Sequence, residues 1–342
     1  MESPIRTDFL VLGSGIAGLW FALNSARFGK VLVLTKKGDT DSNTNYAQGG
    51  IAAAFGITDS PELHCLDTMK AGEGLCREEV VRAVVSEGPR LVETLNSMGV
   101  EFTTYQDGRG QTHFDLGREG GHRRARIVHA HDYTGREVES SLVGAVRNHP
   151  RVTILQNHFA VDLIIDTSGF CRGCQAINES TNALQVVLAN VTLLATGGIG
   201  QVYQYTTNPR IATGDGIAMA FRAGARIANM EFIQFHPTAL YGHTIEGRAF
   251  LISEALRGEG AVLKTQDGMT FMERYHELGS LAPRDVVARA ANAEMKRRGD
   301  RYVLLDATHL DPGRLEQRFP NIFSQCLKFG IDIRREPIPV VP

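Results

Sequence analysis

The sequence predicts an α/β fold, and three observations carry that expectation. An apolar run, Phe9-Leu10-Val11-Leu12, turns at Gly13-Ser14-Gly15-Ile16-Ala17-Gly18 into a second one, Leu19-Trp20-Phe21-Ala22-Leu23, as a buried strand turns into a helix. A later apolar stretch from Val191 to Ala195 ends in Thr196-Gly197-Gly198, where backbone is expected to pass close to a ligand. Between the two, residues 63–75 and 78–95 show helical periodicity with charged outer faces, and 151–165 reads as strand.

Taken in order, residues 5 to 35 read as a β-α-β opening of Rossmann type. Gly13 permits the tight turn, Gly15 lets backbone approach a pyrophosphate, and Gly18 lets the helix close on the strand, with the helix N-terminus facing phosphate. The second strand, Val31 to Leu34, ends in Thr35-Lys36-Lys37 where a nicotinamide enzyme would carry an acid for the ribose, which lowers the case for NAD and leaves FAD open. Thr213-Gly214-Asp215-Gly216 opens another helix, and Asp215 fits a helix cap as well as a ribose contact. These elements assign residues 1–230 to a nucleotide-binding domain. From Glu231 the pattern changes to short segments, loops and a helix from Arg284 to Arg298 behind Pro283, so 231–342 is expected to form a second, lid-like domain.

With 342 residues, 43% of them hydrophobic, and 36 glycines, the chain can fill two domains and allow many close backbone approaches. Its 36 basic and 38 acidic residues give a net charge of −2, which offers no cationic field for nucleic acid. The basic stretch from Arg118 to Arg126 reads as a solvated loop. Nothing supplies the roughly 20 apolar residues that cross a bilayer, and no basic region precedes the first apolar run as in a signal peptide. A soluble cytoplasmic protein without a membrane partner is therefore expected. Five scattered cysteines suggest reduced thiols, and Cys171-Arg172-Gly173-Cys174 reads as a hairpin turn rather than a redox or metal site. The apolar end, Pro337 to Pro342, reads as a chain cut short.

Four motifs then converge. They are Asn43-Thr44-Asn45-Tyr46-Ala47-Gln48-Gly49-Gly50, Gln234-Phe235-His236-Pro237-Thr238, Ser253-Glu254-Ala255-Leu256-Arg257-Gly258-Glu259-Gly260, and Ala282-Pro283-Arg284-Asp285-Val286-Val287-Ala288-Arg289. Together they resemble the succinate dehydrogenase and fumarate reductase flavoprotein superfamily, along essentially the whole chain. The resemblance implies a Rossmann-like FAD-binding domain with an inserted α+β capping domain that closes over a dicarboxylate. Where covalently flavinylated members carry a histidine this chain has Asn43, so non-covalent FAD is implied. Gly117-Arg118-Glu119-Gly120-Gly121-His122-Arg123-Arg124 is similar to a loop of the superfamily's L-aspartate oxidase branch, whose glutamate meets the substrate ammonium. A carboxylate there suits aspartate and would repel succinate, which has no ammonium to pair with it.

That branch oxidises L-aspartate to iminoaspartate and passes the electrons to O2, giving H2O2, or to fumarate, as the opening step of NAD biosynthesis. By resemblance, Glu119, His236 and Ser253 bind substrate. Arg284 holds the proton-transfer position, with Glu254 and Arg257 as its relay, although an arginine base sits badly with a pKa above about 12. The cofactor contacts implied are Gly13 to Gly18 (Ser14, Gly15, Ile16 and Ala17 between them), Lys36, Asn43 to Gly50, Thr196, Gly197, Gly198 and Asp215. Quinolinate synthase is the implied functional partner, since the imine hydrolyses in water. The relatives also continue with a returning segment that adds a substrate histidine and an arginine. The alternatives are a soluble fumarate reductase or succinate-oxidising flavoprotein, and a non-catalytic FAD-binding fragment.

Overall fold

The computed structural model describes residues 3–342, which divide into two compact units, each assembled from separated stretches of chain. Of the described residues, the first unit comprises 3–46, 135–233 and 246–248; the second comprises 47–134, 234–245 and 249–342. Residues 47–134 thus pack with the second unit, whereas the sequence reading placed them in the first domain. Their helices, Pro61–Ala71 and Glu78–Ser97, were expected as helices, but amphipathic periodicity does not say which core a helix covers.

In the first unit a six-stranded sheet runs in the order Val152–Leu155, Val31–Leu34, Ile5–Leu12, Ala183–Leu194, Cys171–Asn178, His158–Ile165. The first four strands are parallel, and the last two extend the sheet antiparallel. Ile5–Leu12 is central because its Leu10, Val11 and Leu12 are buried on both faces, the apolar pattern that a parallel strand requires. The helix Ile16–Ser25 follows at once, its Leu19 and Ala22 fully buried. Cys171 and Cys174 lie within a strand and not in a hairpin turn: the turn is at Asp166–Phe170, and a bulge separates the two thiols.

The second unit has a five-stranded sheet in the order Arg248–Leu251, Ala239–Ile245, Ile338–Val341, Val303–Asp306, Val262–Lys264. Its core combines Leu240, Ile252, Leu263, Leu305, Ile338 and Val340 with Val287 and Ala291 of the helix Arg284–Arg298. The apolar run near the end of the chain is therefore an interior strand, paired with Ala239–Ile245 on one side and Val303–Asp306 on the other. Among the described residues no helix is long and apolar enough to cross a membrane.

Candidate functional site

The first unit contains a cavity of about 490 Å³ at the carboxyl ends of its parallel strands, within the usual range for a cofactor site. Gly13 to Ala17, Thr35, Lys36, Ser42, Asn43, Thr44, Thr196, Gly197 and Asp215 line it. Gly13 has φ +112°, and a Cβ there would stand 2.3 Å from the carbonyl oxygen of Ala195, so only glycine fits. A Cβ on Gly18 would stand 2.1 Å from the carbonyl oxygen of Gly13, which makes this third glycine a packing residue behind the cavity wall. Gly15 stands at the helix cap without a side chain, the N–H of Ile16 donates to Thr44 Oγ1 at 3.1 Å, and the first turn holds no acid. That end of the helix dipole is left for an anion.

Lys36 Nζ donates to Asp215 Oδ2 at 2.5 Å and to Thr213 Oγ1 at 2.7 Å. Asp215 thus does not cap its helix, which starts instead behind the left-handed Gly214. Behind the cavity wall, Ser42 donates to Oε2 of Glu139 at 2.8 Å, while Oε1 is buried without a partner among the described residues. Burial, and then Asp39 and Asp41, raise the Glu139 carboxyl to about 7. Glu139 was missed from sequence because its partner is 97 residues away. Gly18, Asn45, Tyr46 and Gly198 do not line the cavity, and Ala47, Gln48, Gly49 and Gly50 belong to the second unit. The glycine cradle, the acid-free helix end and the cavity fit the pyrophosphate and body of a dinucleotide.

The second unit gathers the residues expected to handle substrate. Arg284, the first residue of its helix, donates through Nη2 to Glu119 Oε2 at 3.0 Å and through Nε to Glu254 Oε2. Its Nη1 donates to Gln234 Oε1 at 3.2 Å. Glu254 Oε1 accepts the backbone N–H of Gly120 at 2.9 Å and lies 3.0 Å from Arg257 Nη2. Arg257 is fully buried and anchored by a 2.6 Å bond to the carbonyl of Ser280. This is a continuous chain of alternating charge, Glu119–Arg284–Glu254–Arg257, and not the exposed helical pair that Glu254 and Arg257 would otherwise suggest.

Each charge bears on its neighbours. Burial first, then the Glu254 carboxylate, push the Glu119 carboxyl above its ordinary range; Arg284 opposes them and does not prevail. Glu119 Oε1 is buried, and no donor among the described residues reaches it. For Arg284, burial works against the cation, yet Glu254 and Glu119 outweigh it and its pKa rises. Arg257 goes the other way, lowered by burial despite Glu254. His236 is held neutral by burial and by the two arginines. Its Nδ1 accepts the backbone N–H of Thr238 at 3.2 Å, which puts the ring proton on Nε2. Thr238, itself buried and bonded to the carbonyl of Ile252 at 2.8 Å, is an orienting residue that the sequence signalled only through the motif it ends. Ser253 caps the short helix Glu254–Gly258 by accepting from Ala255, leaving its hydroxyl proton to donate.

The chain matches the FAD binding domain family over residues 8–342. It is 50% identical to L-aspartate oxidase 2-a, chloroplastic, of Nicotiana tabacum, across 98% of this chain and 53% of that protein. It is also 50% identical to L-aspartate oxidase 1 of Ralstonia nicotianae, across 98% of this chain and 63% of that one. The chain thus spans between half and two-thirds of the length of these relatives. Among solved structures, an E. coli quinol fumarate reductase superposes with a TM-score of 0.90 at 32% identity, covering 99% of this chain and 60% of its own. The match begins at the first strand and runs through the glycine cradle and the charged chain alike, and the protein belongs to the FAD binding domain family.

Proposed function

We propose that this chain carries the cofactor-binding and substrate-handling parts of an L-aspartate oxidase, converting L-aspartate to iminoaspartate with O2 or fumarate as the electron acceptor. The observation that carries this reading is Glu119: a buried carboxylate with one oxygen held by Arg284 and the other without a donor. Such a group attracts an ammonium and repels a plain dicarboxylate. The chemistry that FAD supplies when bound is hydride acceptance.

The residues divide the remaining work. Glu119 Oε1 accepts from the substrate ammonium, and its raised pKa suits it to take a proton from that group, freeing the amine lone pair. His236 Nε2–H and the Ser253 hydroxyl donate to one substrate carboxylate. Arg284, flanked by two carboxylates, stays a cation and serves as a fixed electrostatic partner, not a base. Asn43 offers no imidazole for a flavin bond, so FAD is held non-covalently and acid precipitation should release it intact. In the cell the imine must be consumed before it hydrolyses, which points to quinolinate synthase as the functional partner; the place of action in this reading is the cytoplasm, whereas the plant relatives are named as chloroplastic.

A soluble fumarate reductase is the second reading. It is favoured by the likeness to the E. coli quinol fumarate reductase and by the Arg284–Glu254–Arg257 relay, which would suit proton delivery. The deciding test is to load the chain with FAD, exclude oxygen, and follow the oxidised-flavin absorbance with L-aspartate or succinate. Bleaching by aspartate alone is expected; bleaching by succinate alone would replace this reading with the second.

A further inference from the structure

The loop from Gly117 to Arg126 presents Glu119, yet it has little apolar material to hold it. Between Arg118 and Arg124 there is no apolar side chain, and two glycines stand together, Gly121 with φ +80°. The anchorage is ionic. Arg126, fully buried, donates through Nε to Asp59 Oδ2 at 2.9 Å and through Nη2 to Asp59 Oδ1 at 2.8 Å. Its Nη1 lies 3.0 Å from Asp67 Oδ2. Asp67 also accepts the backbone N–H of Arg123 at 3.1 Å and the Nε of Arg123 at 2.5 Å. Asp59 stands just ahead of the helix Pro61–Ala71 and Asp67 lies within it, so one element grips the loop at two points.

The bidentate fork of Arg126 fixes direction as well as distance. Two carboxylates against two guanidinium groups leave the cluster neutral, as burial demands. The backbone closes the remaining freedom: Arg126 N–H donates to Gly117 O at 3.0 Å and His122 N–H to Glu119 O at 3.3 Å. On the far side, Gly120 N–H reaches Glu254, so the loop is clamped to Glu254 at one end and to the helix at the other.

We propose that Asp59, Asp67 and Arg126 are positioning residues for Glu119, and that through it they set the preference for an α-amino dicarboxylate over an unsubstituted one. The inference rests on the reading of Glu119 given above. Its test is Asp67→Asn in the full chain loaded with FAD, with KM and kcat for L-aspartate, competitive inhibition by succinate, and FAD affinity measured in parallel. Loosening Glu119 should raise KM for aspartate about tenfold with kcat within about twofold. FAD affinity should stay unchanged and succinate inhibition should be unchanged or stronger, since succinate makes no ammonium contact and meets a weaker repulsion when Glu119 is displaced. Equal weakening toward aspartate and succinate, or an unchanged KM, overturns the proposal.

Should Asp67→Asn fail to fold, Arg123→Gln carries the same test, because that side chain is half exposed and its loss removes one arm of the clamp; a smaller rise in the same direction is expected, and no rise overturns the proposal. Glu119→Gln separates the two levels. If it abolishes the aspartate preference while the clamp variants leave it intact, only the positioning role falls. If Glu119→Gln itself keeps the preference, the functional reading falls and this inference with it.

Discussion

At the scale of single residues, the site depends on which charges remain charged. Arg284 sits between two carboxylates that hold it protonated, so its replacement removes a cation and leaves Glu119 and Glu254 facing each other without it. Arg284→Leu should retain FAD and lower turnover of L-aspartate by about 10²–10³-fold or more. Turnover within a few-fold of the unsubstituted chain would remove Arg284 from the mechanism. His236 was legible as a motif histidine, but its tautomer was not. That depends on the Thr238 backbone N–H two residues on, a contact set by local geometry that residue types alone do not reveal. Lys36 and Asp215 were each legible as candidates and not as a pair, because 179 residues separate them.

At the scale of elements, the legible features were those whose cause is local. The turn at Gly13 and the start of the helix at Arg284 behind Pro283 are read from neighbouring residues; the Ser60 cap of the helix Pro61–Ala71, which accepts from Leu63 at 3.2 Å, is equally local but was not read, and that helix was expected only from residue 63. The reading of Arg118 to Arg126 as a solvated loop holds for Arg118, Arg123 and Arg124, which are exposed, and fails at Glu119 and Arg126, because basic composition cannot tell an exposed arginine from one that meets two aspartates at distant positions; Arg126 is fully buried. One element carries an internal fault. The helix Glu78–Ser97 runs through Pro89, which has no N–H for the carbonyl of Val85 one turn back. Pro89→Ala should raise stability by about 1–3 kcal/mol, visible as a higher melting temperature with FAD binding unchanged. A lower melting temperature would mean that the surrounding structure is built around the proline.

For the whole molecule, one buried group in each unit carries a response to pH opposite to the other's. In the first, the Glu139 carboxyl is raised to about 7 against an ordinary 4.5, so the folded state holds its proton more tightly than the unfolded chain. That contribution is complete below 4.5 and is lost as pH rises through 7. In the second, burial and then Arg126 depress His122 to about 4 from 6.5, so its contribution is complete above 6.5 and is lost as pH falls through 4. Glu139→Gln should flatten the decline between pH 5 and about 8, which is worth at most about 3 kcal/mol. Melting curves across that range with an unchanged slope would show that Glu139 does not titrate there. The partition into units was the least legible feature, since the chain enters and leaves each unit more than once and no composition shift marks the crossings. The same threading governs synthesis. The strand Ile5–Leu12 is made first, but its neighbour Ala183–Leu194 emerges about 180 residues later. At roughly 5–20 residues per second, one edge of an apolar strand waits about 10–40 s for its partner. During that interval the nascent chain offers a ready template for mispairing, so its yield in a cell is set by how well that first strand is shielded on the way out of the ribosome.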